Sequence, residues 1–255
     1  MSGKNKMKCK IISQEKIASD VFSIWIQAEG MGEITKPGQF VSLFSNTGNK
    51  LLPRPISICE IAQKEDKLRL VYRVVGSGTK EFSRMQAGDC IDVLGPFGNG
   101  FPLKNKKAIL IGGGVGIPPM LELAKQLTSE KNIVVGYRDE LFLVEDLKQN
   151  GSIYIATEDG SCGTKGNVLD AIKANKIEAE VIYACGPTPM LRAIKSYAAE
   201  NHIECYLSLE EHMACGVGAC LACVCKSKEV DYHTNVNNKR VCKDGPVFEA
   251  TEVEI

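Results

Sequence analysis

The chain has 255 residues, enough for two domains and a small appendage with real cores. Lysine plus arginine and aspartate plus glutamate each number 31, with no long run of one sign, so there is no electrostatic footprint for nucleic acid or an anionic membrane. The eleven cysteines are spread through an enzyme-sized chain, and Met1 to Lys10 carries lysines with no apolar stretch behind them. That pattern argues against a secreted disulfide framework and for a reducing cytoplasm.

From residue 7 to about 103 short alternating runs are separated by glycine and proline. Phe22/Ile24/Ile26 and Leu68/Leu70/Tyr72/Val74 alternate, and Pro37-Gly38, Asn46-Thr47-Gly48 and Gly95-Pro96 break the runs. An antiparallel β-barrel is predicted. After Lys104–Lys107 the rhythm changes. Strands are expected at Ala108–Ile111, Ile133–Gly136, Ile153–Ala156, Val181–Ala184 and Ile203–Leu207. Helices are expected at Pro118 to about Thr128, Phe142–Lys148, Val168–Ala174 and Pro187–Glu200. Alternating strands and helices predict a doubly wound parallel α/β sheet. Beyond Leu207 the chain is short and cysteine-rich, and a metal cluster is expected to organise it in place of a conventional core. The resulting division is 1–103 (β-barrel), 104–207 (α/β) and 208–255 (cluster). Ala108 to Leu121, the longest weakly polar stretch, is broken by four glycines and two prolines, which excludes a transmembrane helix.

In the barrel, Arg54-Pro55-Ile56-Ser57 offers a cation and a hydroxyl, and Gly76-Ser77-Gly78-Thr79 follows a predicted strand. Either alone reads as a surface arginine or a plain turn. Together they supply the charge, hydroxyls and close backbone approach that a diphosphate needs. In the second region Gly112-Gly113-Gly114-Val115-Gly116 follows a strand and opens a helix through Pro118-Pro119, the arrangement of a nucleotide-binding loop. It departs from the standard G-x-G-x-x-G, so a simple strand–helix turn is the alternative. Cys185 and Gly186, at a later strand's end, could line a nicotinamide site, with Cys185 as a possible catalytic group; a buried structural cysteine is the other reading. Tyr137-Arg138-Asp139-Glu140 holds two carboxylates that would repel a 2′-phosphate and one arginine that would attract it.

The densest signal lies in the last 41 residues, where Cys215, Cys220, Cys223 and Cys242 run C-x4-C-x2-C-x18-C. The first gaps match plant-type [2Fe-2S] loops, and the residues between are small or apolar. Small residues let the backbone curl and aim its N–H groups at sulfur. A structural zinc site would use two C-x2-C knuckles, and only Cys220/Cys223 forms one. Cys225 is left out of the ligand set, while Cys9, Cys59, Cys90 and Cys205 read as buried small hydrophobes. None of His202, His212 and His233 lies in a cofactor motif, and His212 is expected at the surface or an interface.

Taken together, Arg54–Ser57, Gly76–Thr79, Gly112–Gly116 and Cys185-Gly186-Pro187 resemble the flavin and nicotinamide domains of the ferredoxin-NADP reductase superfamily. Met213–Cys225 and Val241–Phe248 narrow the resemblance to the electron transfer subunits of NAD-dependent, class B dihydroorotate dehydrogenases, over essentially the whole chain. The resemblance implies FAD contacts from Arg54, Pro55, Ile56, Ser57, Val71, Tyr72, Arg73, Gly78 and Thr79, and cluster ligation by Cys215, Cys220, Cys223 and Cys242. It implies NAD as the dinucleotide, pyrimidine (UMP) biosynthesis as the pathway, and an FMN-containing catalytic subunit as partner, in a heterotetramer with two of each chain. Nicotinamide accepts only a hydride, the cluster passes only single electrons, and a flavin does both. The expected order is therefore partner FMN, cluster, FAD, NAD+. The nearest rival is the small flavin/iron–sulfur subunit of an NADH-dependent ferredoxin:NADP oxidoreductase or a sulfide dehydrogenase. A zinc-stapled, non-catalytic interaction module is the rival from another class.

Overall fold

The computed structural model describes residues 6–46, 51–231 and 235–255. Thr47, Gly48 and His233, named above, lie outside them. Six strands close an antiparallel barrel: β1 (Met7–Lys16), β2 (Val21–Gln27), β3 (Phe40–Phe44), β4 (Arg54–Ala62), β5 (Lys67–Arg73) and β6 (Cys90–Phe97), in the order β1-β2-β5-β4-β3-β6. Alternation drives the closure. Ile24, Ile26, Leu68, Leu70, Tyr72, Ile91 and Val93 turn inward and are buried, and closing the sheet gives every strand a neighbour on both sides over at least part of its length.

Between β5 and β6 the Gly76–Thr79 segment is not a loop. It is the first turn of helix α1 (Ser77–Phe82). The Thr79 hydroxyl accepts from the N–H groups of Val75 and Gly76 at 3.1 and 3.2 Å, which satisfies donors that the short helix leaves exposed.

The second sheet contains β7 (Ala108–Gly113), β8 (Lys131–Tyr137), β9 (Ser152–Thr157), β10 (Thr164–Lys165), β11 (Val181–Cys185) and β12 (Glu204–Ser208), all parallel. Helices α2 (Pro118–Gln126), α3 (Val144–Lys148), α4 (Val168–Ala174) and α5 (Thr188–Glu200) connect them. Two helices differ from expectation. α2 stops at Gln126, and α3 starts late because Leu143 sits in the left-handed region at φ 60°. α4 is capped by Asn167, whose side chain accepts from the N–H groups of Leu169 and Asp170. The order β10-β9-β8-β7-β11-β12 reverses direction between β7 and β11. Open α/β sheets bind ligands at the carboxyl ends of the two strands that flank such a reversal.

The carboxy-terminal segment forms β13 (Val224–Asp231), β14 (Val236–Arg240), β15 (Val247–Glu249) and β16 (Val253–Glu254). β14-β13-β16 make a small sheet, but β15 leaves it and pairs antiparallel with β12 as the seventh strand of the large sheet. The expectation that this segment lacks a conventional core is therefore corrected. Val241, Phe248, Ala250 and Val253 are buried in one cluster with Ile182, Ala184 and Leu207, so burial of apolar surface holds the segment as well. Cys9, Cys59 and Cys205 are buried as expected, whereas Cys90 is half-exposed. Among the described residues no helix is long and apolar enough to cross a membrane.

Candidate functional site

β4 runs antiparallel to β5, with Ile58 opposite Leu70, so the start of β4 lies beside the end of β5. This brings Arg54–Ser57, Val71–Arg73 and α1 to one region. Arg54 to Ser57 are half-exposed and available. Tyr72 is not: its ring turns into the barrel against Phe22 and Phe82, and its hydroxyl donates to Gln14 at 3.2 Å. Its main chain is what remains for a ligand. Arg73 pairs with Asp20 at 3.2 Å. A Cβ on Gly78 would stand 2.2 Å from the Arg54 Nε, so the bare glycine is what lets the guanidinium lie over the first turn of α1.

Gly78→Ala will therefore uncouple binding from stability. The added methyl displaces only the end of a flexible side chain, and alanine is favoured over glycine in a helix by about 1 kcal/mol. A charge-assisted contact to an anion contributes about 1.5–3 kcal/mol, so FAD affinity should fall about ten- to a hundredfold. Flavin titration of the variant, alongside its melting temperature, measures both.

At this reversal, Cys185 pairs with Gly112 across β11 and β7. Gly112, Gly113 and Gly116 are buried, and each admits a neighbour: Ile117, Met190 and the Cys185 carbonyl respectively lie within 2.9 Å of where a Cβ would be. Gly114 takes a left-handed φ of 53°. The loop then enters α2 through Pro118-Pro119, leaving backbone N–H groups at a helix start for a pyrophosphate. Gly186 packs on Met190 and Gly113. Cys185 is 1% exposed, and burial, then Glu210, pushes its thiol up to about 12 against the Ser208 side chain, so it stays protonated.

At the end of β8, Glu140 is committed elsewhere. Its carboxylate accepts from the Ser19 N–H of the barrel at 2.6 Å, which holds it below the usual range. Asp139 is left as the acidic group beside Arg138, 3.6 Å away. The loop after β9 went unnoticed in the sequence. Thr157, fully buried, accepts from the Cys162 N–H and donates to its carbonyl, closing Glu158–Cys162 at the ligand-facing edge. Glu158, Asp159, Gly160 and Ser161, four turn-forming or polar residues directly after the strand, were the available signal.

In the tail the four thiols form two pairs. Cys215 meets Cys220, and Cys223 meets Cys242. The N–H groups of Val217 and Ala219 both point at the Cys215 sulfur at 3.4 Å, and the Cys242 N–H points at Cys223 at 3.4 Å. Burial pushes the Cys215 thiol up, but the N–H groups of Val217, Cys220 and Ala219 and the Cys220 thiol outweigh it and bring it down to about 6. Burial and the Cys223 thiol instead raise Cys242 to about 12. Among the described residues, no three His, Cys, Asp or Glu side chains converge where a single metal ion would sit. Two thiol pairs with N–H donors aimed at sulfur fit a two-iron cluster, which takes two protein ligands per iron. Cys225 is buried and takes no part in either pair, and His212 is exposed.

The three regions meet at a cleft of about 180 Å³ lined by Phe40, Pro55 and Ser57 of the barrel, the Ser208–Glu211 turn, Met213 and Pro246. The carboxy-terminal segment is fixed there from two sides. Asn99 at the end of the barrel donates to the carbonyls of Gly245 and Asp244 at 2.6 and 2.9 Å, and the Leu209 N–H donates to Pro246 at 2.9 Å. Gly216, in the cysteine loop, lies against the Ser42 hydroxyl, and Ser42 faces Pro55 across β3 and β4.

A barrel and a doubly wound sheet that meet the cysteine-bearing segment at one cleft define a flavin- and pyridine-nucleotide-linked oxidoreductase with an attached iron–sulfur domain. Family models agree along the chain: an oxidoreductase FAD-binding domain over residues 8–101, an oxidoreductase NAD-binding domain over 110–196, and the iron–sulfur cluster binding domain of dihydroorotate dehydrogenase B over 210–254. A protein of Caldanaerobacter subterraneus subsp. tengcongensis is 42% identical over 97% of this chain and 98% of its own length. One of Listeria monocytogenes is 44% identical over 96% and 98%. Both are named dihydroorotate dehydrogenase B (NAD(+)), electron transfer subunit. A solved structure described as an NADH-dependent reduced ferredoxin-NADP oxidoreductase superposes with a TM-score of 0.87 at 31% identity, covering 100% of this chain and 91% of that one. Phthalate dioxygenase reductase shares the fold, with a TM-score of 0.63 at 18% identity over 93% and 94%. This chain belongs to the electron transfer subunits of NAD-dependent dihydroorotate dehydrogenase B. It is an oxidoreductase subunit with FAD-, NAD- and iron–sulfur-binding domains, and hydride passes between its FAD and NAD.

Proposed function

We propose that the chain takes single electrons from an FMN-containing catalytic subunit onto a [2Fe-2S] cluster held by Cys215, Cys220, Cys223 and Cys242. They pass to FAD and leave as a hydride to NAD+, within a cytoplasmic heterotetramer of two subunits of each kind serving UMP biosynthesis. The observation that carries this reading is the adjacency of Gly216, Ser42 and Pro55, which sets the cysteine loop against the flavin motif. FAD bound there supplies the exchange between single electrons and a hydride. The chain's own residues do the rest. Arg54 offers its charge to the diphosphate, and Ser57 and Pro55 line the cleft. Gly112, Gly113 and Gly116 let the loop pack closely on Ile117, Met190 and Cys185, and Gly114, with open space where a Cβ would be, leaves room for the dinucleotide. Asp139 disfavours a 2′-phosphate.

Tagged purification from the native cell, with identification of the bound subunit and assay of iron and acid-labile sulfide, tests the proposal. An FMN-bearing partner in equal amount with two irons per chain is expected. The 31% identical structural relative, described as an NADH-dependent reduced ferredoxin-NADP oxidoreductase, favours a second reading, in which the partner is another subunit of such an oxidoreductase. Recovery of such a subunit would replace the first reading.

A further inference from the structure

The barrel and the nucleotide sheet are joined by a polar cluster that the functions above do not use. β3 pairs with β4 only as far as Ser57, so the backbone of β4 beyond that point lacks a strand on one side. Glu122 of α2, 3% exposed, fills the gap: its carboxylate accepts from the Ile61 N–H at 2.7 Å and from the Gln126 side chain at 2.8 Å. Beside it Arg69 of β5, 8% exposed, donates to Asp146 of α3 at 2.8 Å, to Glu60 of β4 at 3.3 Å and to Ser23 of β2 at 2.9 Å. Glu15 stands 4.0 Å from the same guanidinium. Lys125 of α2 closes the cluster on Glu60 at 2.8 Å.

Both helices gripped here begin at the nucleotide side. α2 starts directly after Gly112–Gly116, and α3 follows the Tyr137–Glu140 edge. β4 starts with the flavin motif Arg54–Ser57, and Glu122 holds Ile61, one residue before its end. One strand and one helix thus connect the two cofactor motifs through a single buried clasp. Buried ion pairs contribute little net stability over apolar packing, but parting one leaves an uncompensated buried charge, so its partners resist displacement.

We propose that Glu122 and Arg69 are positioning residues that set the distance between the flavin and the nicotinamide. The inference rests on the reading that FAD and NAD occupy the motifs described above. A misplacement near 1 Å costs about a hundredfold in a reaction that needs reacting atoms in close approach. Little of that loss should appear in nucleotide affinity, because none of the groups these two residues bond belongs to the Gly112–Gly116 loop.

The test is single-turnover reduction of the bound flavin by NADH in the purified complex, for Glu122→Leu and Arg69→Met, with amide hydrogen exchange at Ile61 measured in parallel. The limiting rate should fall about 10- to 100-fold, while the NADH concentration for half-maximal rate shifts less than about threefold and, in Glu122→Leu, Ile61 loses protection. Glu122→Gln keeps an acceptor for Ile61, and Gln126 can turn its own amide to match. It should recover most of the rate. If Glu122→Leu does not fold, Lys125→Met, on the exposed margin of the cluster, should still slow the limiting rate measurably. Variants that lose Ile61 protection yet keep the wild-type limiting rate would overturn the inference, as would Glu122→Gln proving as slow as Glu122→Leu or Lys125→Met at full rate. A wild-type complex whose flavin NADH does not reduce would instead sink the cofactor-site reading itself.

Discussion

Cys223→Ser will abolish dihydroorotate-dependent reduction of NAD+, more than about a hundredfold below wild type, and leave NADH-to-dye electron transfer within about threefold. The reason is a division of labour: a dye can accept electrons from the flavin directly, whereas the partner must be reached in single-electron steps through the cluster. Cys223 is 2% exposed and sits in the core next to Cys242, so serine removes a ligand from a dry site where a hydroxyl is a poor substitute. The damage should stay local. β15 remains paired with β12, and Phe248 remains buried against the large sheet, so the nucleotide and flavin sites keep their frame without the cluster. Visible absorbance and iron content should drop with FAD content unchanged. Full turnover with dihydroorotate in the variant would show that electrons take another route.

Gly116→Ala should damage the other end of the pathway. A Cβ there would stand 2.3 Å from the Cys185 carbonyl oxygen and 2.6 Å from the Gly186 nitrogen, both main-chain atoms that cannot swing aside. β11 and the glycine loop must part, at a cost of about 1–3 kcal/mol, or a fall of roughly 2–10 °C in melting temperature for a chain of this size. Because the opening occurs at the switch point between β7 and β11, NADH affinity should weaken at least about tenfold while FAD stays bound. Calorimetric titration with NADH and a thermal melt decide it. An unchanged NADH affinity would place the dinucleotide elsewhere on the sheet. Paired with Gly78→Ala, this substitution separates the two sites: one loses flavin at little structural cost, the other loses nucleotide and stability together.

Much of this was legible along the chain because the signals are local. The change from period-two alternation to alternating strand and helix marks the passage from barrel to doubly wound sheet, and Gly112–Gly116 reads as a loop wherever it folds. Cys215, Cys220 and Cys223 are close in sequence, so their spacing alone limits what they can hold. Thr79 shows where local reading stops. Its hydroxyl was available in principle to a phosphate, but α1 forms and uses it as a cap.

The order of the three regions, the glycine and cysteine motifs, and the kinds of group they can bind are written along the chain, since each depends on residues a few positions apart. Folding adds that β15 crosses into the large sheet, that Glu140 is taken up by Ser19, that Glu122 clasps β4, and that Gly216 lies against Ser42 beside Pro55. These contacts join residues tens to hundreds of positions apart. They exist only because burial of the shared apolar core brings the segments together, and no local pattern records which partner each will meet.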